Sequence, residues 1–529
     1  MDLAGLIHAL SDPAAYPTPV DSVEVRQTHI SVVFLAGGYA YKIKKPVNLG
    51  FLDFSTLAKR RHFCEEEVRL NARLAGEVYL GVVPIVPHGN GVRLEAAGEA
   101  VEWAVKMKRL ADEATLESRL ERGAVTIELV EAVARRIAAF HDAAETNERI
   151  AAFGRSEVVA RNARDNFEQS RSHVGQTISR AVFARLVALC DEALAAGREL
   201  IESRAARGVP RDTHGDLRLD HVYVFGEGAA AADMLIIDCI EFNEQFRFAD
   251  PVADMAFLAM DLAFEGRRDL ARALADAYFS ARGDDEGRRL LPFYTAYRAA
   301  VRGKVEGFKQ AESEVPEADR AESFLRARGY WLLALGELER PEEKPCLVLV
   351  GGLPGSGKST LASKLARHGE FHVIRSDVVR KLMAGAEETK ATRPAFAAGI
   401  YSAEWNERTY GECLRRACAL LFEGERVLVD ASFREDLWRR AFLDAAARLR
   451  VPAILLACEA DADVIRARLA ARTGDVSDAD WSIYLEAAKA WEEFGAVTQP
   501  AVRPIATSGT REQSVEQALA ALRAIDLAR

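Results

Sequence analysis

The stretch "GGLPGSGKST", Gly351 to Thr360, decides the fold of the second part of the chain. It contains G-x-x-x-x-G-K-[ST] from Gly352 to Ser359, set between the apolar run "CLVLV" (346–350) and the helical run "STLASKLARHG" (359–369). Strand, glycine-rich turn and helix in that order wrap backbone N–H groups around a phosphate, and the helix N-terminus adds partial positive charge. Gly352, Pro354, Gly355, Ser356, Gly357 and Thr360 are read as the cradle, Lys358 as the cation for the β- and γ-phosphates, and Ser359 as a magnesium ligand.

Two further strands follow. "FHVIRSDVVRKL" (371–382) brings Asp377 to the carboxyl end of a second parallel strand, with Arg380 three residues on, where open α/β sheets bind ligands. "RVLVDASF" (426–433) brings Asp430 to the end of a third, where it either holds the magnesium shell or caps a turn. In "DVIRARLAARTGDVSDADW" (463–481), Arg468 and Arg472 share a helix face at i, i+4, with Arg466 beside them. From Cys346 to Arg529 the sequence resembles the P-loop kinases of the polynucleotide kinase, zeta toxin and chloramphenicol phosphotransferase group. That resemblance implies Asp377 as the base for an acceptor hydroxyl, Arg380 as an acceptor or phosphate clamp, and Arg468 and Arg472 as an arginine lid over the transferred phosphoryl. Solvated surface arginines are the alternative.

The earlier part carries a different pattern, "DTHGDLRLDHVYVF" at Asp212 to Phe225, followed by "MLIIDCIEF" at 234–242. It resembles the catalytic loop of the aminoglycoside phosphotransferase and choline kinase families, which are kinase-like enzymes. The likeness implies Asp216 as the catalytic acid that orients and deprotonates the acceptor, and Asp238 as the metal-binding acid. Where those families carry asparagine, this chain has His221, which can bind a divalent ion as a neutral imidazole. In "GGYAYKIKKP" (37–46) Lys42 matches the nucleotide lysine, with Lys44 on the same strand face as fallback. Its glutamate partner follows from helical spacing: Phe63, Glu67, Leu70 and Leu74 form one stripe that Glu67 alone interrupts. Met107 ends the strand that runs into the adenine hinge, and in place of a glycine-rich loop the turn "RQTHIS" offers Thr28, His29 and Ser31.

These motifs set the organisation. With 529 residues the chain is too long for one core. "ERPEEKP" divides it into an N-terminal α+β bilobal kinase-like domain (1–340), a linker (341–345) and a C-terminal α/β P-loop domain with a parallel sheet (346–529). Hydrophobic residues are 49% and charged residues 28%, no apolar run reaches the length of a membrane helix, and no basic leader is present, so a cytoplasmic enzyme is expected. The net charge of -10 lies before Cys346, beyond which Lys+Arg and Asp+Glu balance at 25 each, so no extended nucleic-acid surface is expected. Seven scattered cysteines fit reduced thiols. The expectation is a bifunctional phosphotransferase using ATP and Mg2+ on hydroxyls of small-molecule or nucleotide-like acceptors. The alternative is one kinase domain regulated by a nucleotide-sensing, non-catalytic partner; acceptors and oligomeric state stay open.

Overall fold

The computed structural model describes the chain apart from residues 51, 227–232, 312–315, 386–401 and 472–479, so Arg472 of the expected lid lies outside the described residues. Two compact units emerge. The first comprises Met1–Ala160, Ala196–Ala263 and Arg267–Tyr294; the second comprises Arg161–Ala195, Phe264–Gly266 and Thr295–Arg529. The chain therefore leaves and re-enters each unit, and the helical segments 161–195 and 295 onward group with the phosphate-loop sheet.

In the first unit, strands β1 (Val23–Gln27), β2 (Ser31–Ala36), β3 (Tyr39–Lys44), β4 (Tyr79–His88), β5 (Gly91–Leu94) and β6 (Glu102–Lys108) form an antiparallel sheet in the order β1-β2-β3-β6-β4-β5. Gly37 and Gly38 close the β2–β3 hairpin between paired Ala36 and Tyr39, the tight two-residue turn that the glycine pair favours. Alternation along β2 and β3 sorts the two faces: Val32, Phe34, Tyr41 and Ile43 pack in one core, while Leu35 and Ala40 join Val105 and Met107 in another. The latter core includes Cys64 of the helix Leu57–Ala75. That helix starts at Thr56, whose hydroxyl accepts the Lys59 amide, and it buries Cys64, Glu67, Leu70, Asn71 and Leu74 on one face.

The remaining strands of this unit are short. β7 (Arg211–Asp212) pairs with β10 (Phe248–Ala249), and β8 (Val222–Val224) pairs with β9 (Met234–Ile236). They carry the His214-Gly215-Asp216 loop and the strand leading to Asp238. Behind them runs the buried helix Pro251–Phe264, apolar but for two buried acids seven residues apart, Asp254 and Asp261.

The second unit is built on β11 (Cys346–Gly351), β12 (His372–Arg375), β13 (Arg426–Asp430), β14 (Ala453–Glu459) and β15 (Val502–Ala506), all parallel, in the order β12-β13-β11-β14-β15. Every residue of β11 and β13 is buried, as a sheet covered on both faces requires. The helices Lys358–Gly369 and Arg511–Arg523 supply Leu361, Leu365, Val515 and Leu522 to a core with Val348, Val350 and Leu428. All seven cysteines are free thiols. No helix among the described residues is long and apolar enough to cross a membrane.

Candidate functional site

In the first unit Lys42 Nζ lies 2.9 Å from Glu67 Oε1 and 2.5 Å from Asp238 Oδ1, so the three residues named from sequence meet. Lys44, the fallback, is in the same cluster: its ammonium lies 2.8 Å from Glu67 Oε2 and bonds Glu241 Oε1. Glu67, with 0% side-chain exposure, thus bridges both lysines. Burial pushes the Lys42 ammonium toward neutrality, but Asp238 and Glu67 outweigh it and hold its pKa well above the ordinary value. Burial likewise disfavours the Asp238 carboxylate, and Lys42 with His221 overcomes this, leaving Asp238 well below the usual range.

The loop that carries Asp216 is held from behind. Asp254 accepts the backbone amides of His214 (3.0 Å) and Gly215 (2.9 Å), and it also contacts Nε2 of buried His141 at 3.0 Å. Gly215 has φ +87°, and a side-chain carbon there would sit 3.0 Å from the Phe246 carbonyl, so the loop admits only glycine. Asp261 adds a bond from the Leu219 amide at 3.2 Å. These clamps fix the backbone on either side of Asp216.

His221 Nδ1 lies 2.8 Å from the Asp216 carbonyl oxygen, which can only accept, so Nδ1 carries the proton. Nε2 then faces Asp238 Oδ2 at 3.6 Å and Asp220 Oδ1 at 3.9 Å. Burial lowers the His221 pKa, but Asp220, Asp216 and Asp238 raise it further than burial lowers it. Carboxylates around Nε2, beside a cluster in which two ammonium groups meet three carboxylates, suit a cation, whose binding at Nε2 would displace the proton they favour there. Magnesium fits here, and His221 and Asp238 are the residues that would hold it. Met107 is the penultimate residue of β6 and lies in the shared core with Ala40 and Tyr79. The Thr28 hydroxyl is spent on its own turn, accepting the amides of Ile30 (3.3 Å) and Ser31 (3.0 Å).

In the second unit the loop after β11 leads into the helix that begins at Lys358. Gly352 has φ +145°, and an added carbon would meet Ser356 Oγ at 2.6 Å and the Cys458 carbonyl at 2.7 Å, which keeps the cradle closed to any other residue. Gly355, Gly357, Lys358, Ser359 and Thr360 line a cavity of about 330 Å³ together with Arg468, Thr507 and Arg511. Pro354 is half-buried in the loop. Thr507 ties β15 to the cradle through its hydroxyl, which lies 2.6 Å from the Ser356 carbonyl and 2.8 Å from that of Glu459.

Asp430, at the end of β13, is buried, and its Oδ1 has no hydrogen-bond partner among the described residues. Burial raises its pKa, while Lys358 and the Ser359 hydroxyl counteract it only in part. Asp430 Oδ2 lies 3.4 Å from Arg375 Nε, and the unpartnered Oδ1 leaves a carboxylate oxygen that fits magnesium, which Asp430 and Ser359 would hold. Among the described residues no three His, Cys, Asp or Glu side chains form a ready-made metal cluster, so water and phosphate oxygens would complete either shell. Arg468 donates to the Thr507 carbonyl at 2.5 Å, and its buried Nη1 has no hydrogen-bond partner among the described residues, beside Gly357. Asp377 lies in the first turn of the helix Ser376–Met383; Arg380, on the same helix, is buried and donates to Asn406 Oδ1 at 2.9 Å.

Sequence reasoning missed several residues. Asp254 and Asp261 were signalled by their spacing, two acids on one face of an otherwise apolar helix. Arg439 was not signalled: with 0% exposure it donates to the carbonyls of Phe433 (2.7 Å), Arg434 (2.9 Å) and Glu493 (3.0 Å). It thereby holds the turn after Asp430, where Phe433 adopts φ +48°.

Fold and sites together define a two-part protein, an antiparallel-sheet unit that carries the Lys42–Glu67–Asp238 cluster and a P-loop α/β unit. The AAA domain family model matches residues 347–490. Over 497 residues, 94% of each chain, the sequence is 34% identical to the uncharacterized proteins Rv2004c of Mycobacterium tuberculosis and Mb2027c of Mycobacterium bovis. The chain belongs to the family of these mycobacterial proteins. Among solved structures it is similar to a choline/ethanolamine kinase family protein from Mesorhizobium loti, at 14% identity over 63% of this chain and 98% of that one, with TM-score 0.36. It is also similar to a gluconokinase from Sinorhizobium meliloti, at 19% identity over 36% and 95%, with TM-score 0.27.

Proposed function

We propose that the chain is an ATP-dependent phosphotransferase with one site in each unit, acting on hydroxyl groups of small-molecule or nucleotide-like acceptors. The observation that carries the reading is the same device built twice: a lysine for phosphate beside an acid at a strand end, Lys42 with Asp238 and Lys358 with Asp430. In the first unit Glu67 aims Lys42 at the phosphates, and Asp216 takes the proton as the acceptor oxygen bonds to the γ-phosphorus and the bond to ADP breaks. In the second unit the cradle and Lys358 bind the phosphates, Asp377 takes the acceptor proton, and Arg468 faces the transferred group. Magnesium, when bound, neutralises phosphate charge.

A second reading, in which the first unit binds nucleotide and regulates the other, is favoured by His221 at the position of the family asparagine. Phosphoryl transfer from labelled ATP into a metabolite extract, compared among wild type, Lys358→Ala and Asp216→Asn, separates the two. Products lost separately by the two variants support two sites. Products lost only with Lys358→Ala support regulation.

A further inference from the structure

The turn at Asp238 is held in an uncommon backbone conformation by residues of the first unit's sheet and helix. Asp238 has φ +63°, a left-handed geometry uncommon outside glycine that Asn and Asp adopt more readily than other residues. Two hydrogen bonds hold the turn in place. The Asp238 amide donates to the Tyr79 hydroxyl at 3.2 Å, and the next amide, Cys239, donates to Asn71 Oδ1 at 2.9 Å.

Asn71 has 1% exposure, and its other end is also spent: Nδ2 donates to the Glu67 carbonyl at 2.9 Å. A backbone amide on one side and a carbonyl on the other admit only one orientation of this side chain. The same helix continues the pattern, since Arg73 donates to the carbonyls of Asp212 (2.7 Å) and Thr213 (3.0 Å) at the start of the catalytic loop. One helix therefore grips the nucleotide lysine through Glu67, the turn of the metal acid through Asn71, and the catalytic loop through Arg73.

We infer that Asn71 is a positioning residue for the metal site: by holding the Cys239 amide it keeps Asp238 turned toward the cation and ties that turn to the helix that carries Glu67. The inference rests on the reading of Asp238 as a magnesium ligand. Asn71 itself touches no substrate. Its loss therefore changes the gain that magnesium gives to nucleotide binding and spares the binding of nucleotide without metal.

The test is calorimetric titration of the full chain with ADP, with and without Mg2+, in a Lys358→Ala background so that only the first unit reports. It is paired with amide hydrogen exchange at Cys239 in the absence of nucleotide. Asn71→Leu is expected to speed Cys239 exchange, leave metal-free ADP affinity within about twofold, and cut the magnesium gain about tenfold, the size of one buried hydrogen bond. Tyr79→Phe removes only the other anchor and is expected to reduce the gain in the same direction; it decides the matter if Asn71→Leu does not fold. A folded Asn71→Leu protein with the full gain, where Asp238→Asn has lost it, overturns the inference alone. A gain that survives Asp238→Asn, or no gain in the wild type, overturns the metal-site reading and the inference with it.

Discussion

The ammonium of Lys42 and the carboxylate of Asp238 meet at 2.5 Å although 196 residues separate them in the chain. The contact closes a buried network in which Glu67 accepts both Lys42 and Lys44. Glu67→Gln keeps the shape and removes the charge that both lysines share. Lys42 keeps Asp238 and Lys44 keeps Glu241, but each lysine loses its second carboxylate, and two buried charge-assisted hydrogen bonds are weakened, so urea unfolding of the first unit should shift by about 3 kcal/mol. A change under about 1 kcal/mol would show that Asp238 and Glu241 balance the lysines by themselves.

His141 gives the first unit a pH dependence. Its Nδ1 meets the Tyr278 hydroxyl at 2.7 Å and its Nε2 meets Asp254, all of them buried. Burial outweighs the attraction of Asp254 and lowers the pKa below 6.5. The unfolded chain therefore binds a proton at a pH where the folded chain does not, and stability contributed by His141 is complete above about pH 6.5 and falls as pH drops below it. The slope reaches at most about 1.4 kcal/mol per pH unit. His141→Gln should be less stable throughout and should show a shallower loss between pH 6.5 and 5 by denaturant titration. Equal slopes in both proteins would remove His141 as the cause.

Lys358→Ala removes the cation of the glycine cradle and leaves the Lys42 cluster untouched. Titration with ATP should find two equivalents bound to the wild type and one to the variant. Two undiminished sites in the variant would contradict the assignment of the cradle.

How far the sequence carries the structure depends on whether the signal is local. The P-loop is legible because its glycines, lysine and serine lie within eight residues and the loop's geometry is set by them alone. The Lys42–Glu67 pair was reachable because helical periodicity singles out one glutamate in an apolar stripe. The sequence left Lys42 and Lys44 as alternatives, and the fold uses both because the Glu67 carboxylate has two oxygens, one for each lysine. Asn71 and Arg439 were not legible, since an asparagine on a helix or an arginine in "DLWRRAF" looks solvated until the distant groups it serves, the Cys239 amide for Asn71 and the Glu493 carbonyl for Arg439, are brought to it by the fold. Asp254 lies between these cases: its spacing from Asp261 on an apolar helix was a signal that went unread, and its partners His214 and Gly215 became known only with the loop's backbone path.

Asp377 is the residue proposed as the base of the second site. It stands in the first turn of its helix, directly after β12, whose last residue Arg375 pairs in register with Asp430 of β13. The proposed base and the proposed metal acid thus come from neighbouring strand ends, and Asp377 is close enough for its charge to contribute to the raised pKa of Asp430. It is absent from the lining of the cavity beside Lys358. Asp377→Asn should therefore keep nucleotide binding by calorimetry, while transfer to the acceptor of this site falls by about 10²- to 10⁴-fold, the range for a lost general base. Loss of nucleotide binding would reveal a structural role for Asp377 in the loop, and transfer at the wild-type rate would take it out of the mechanism.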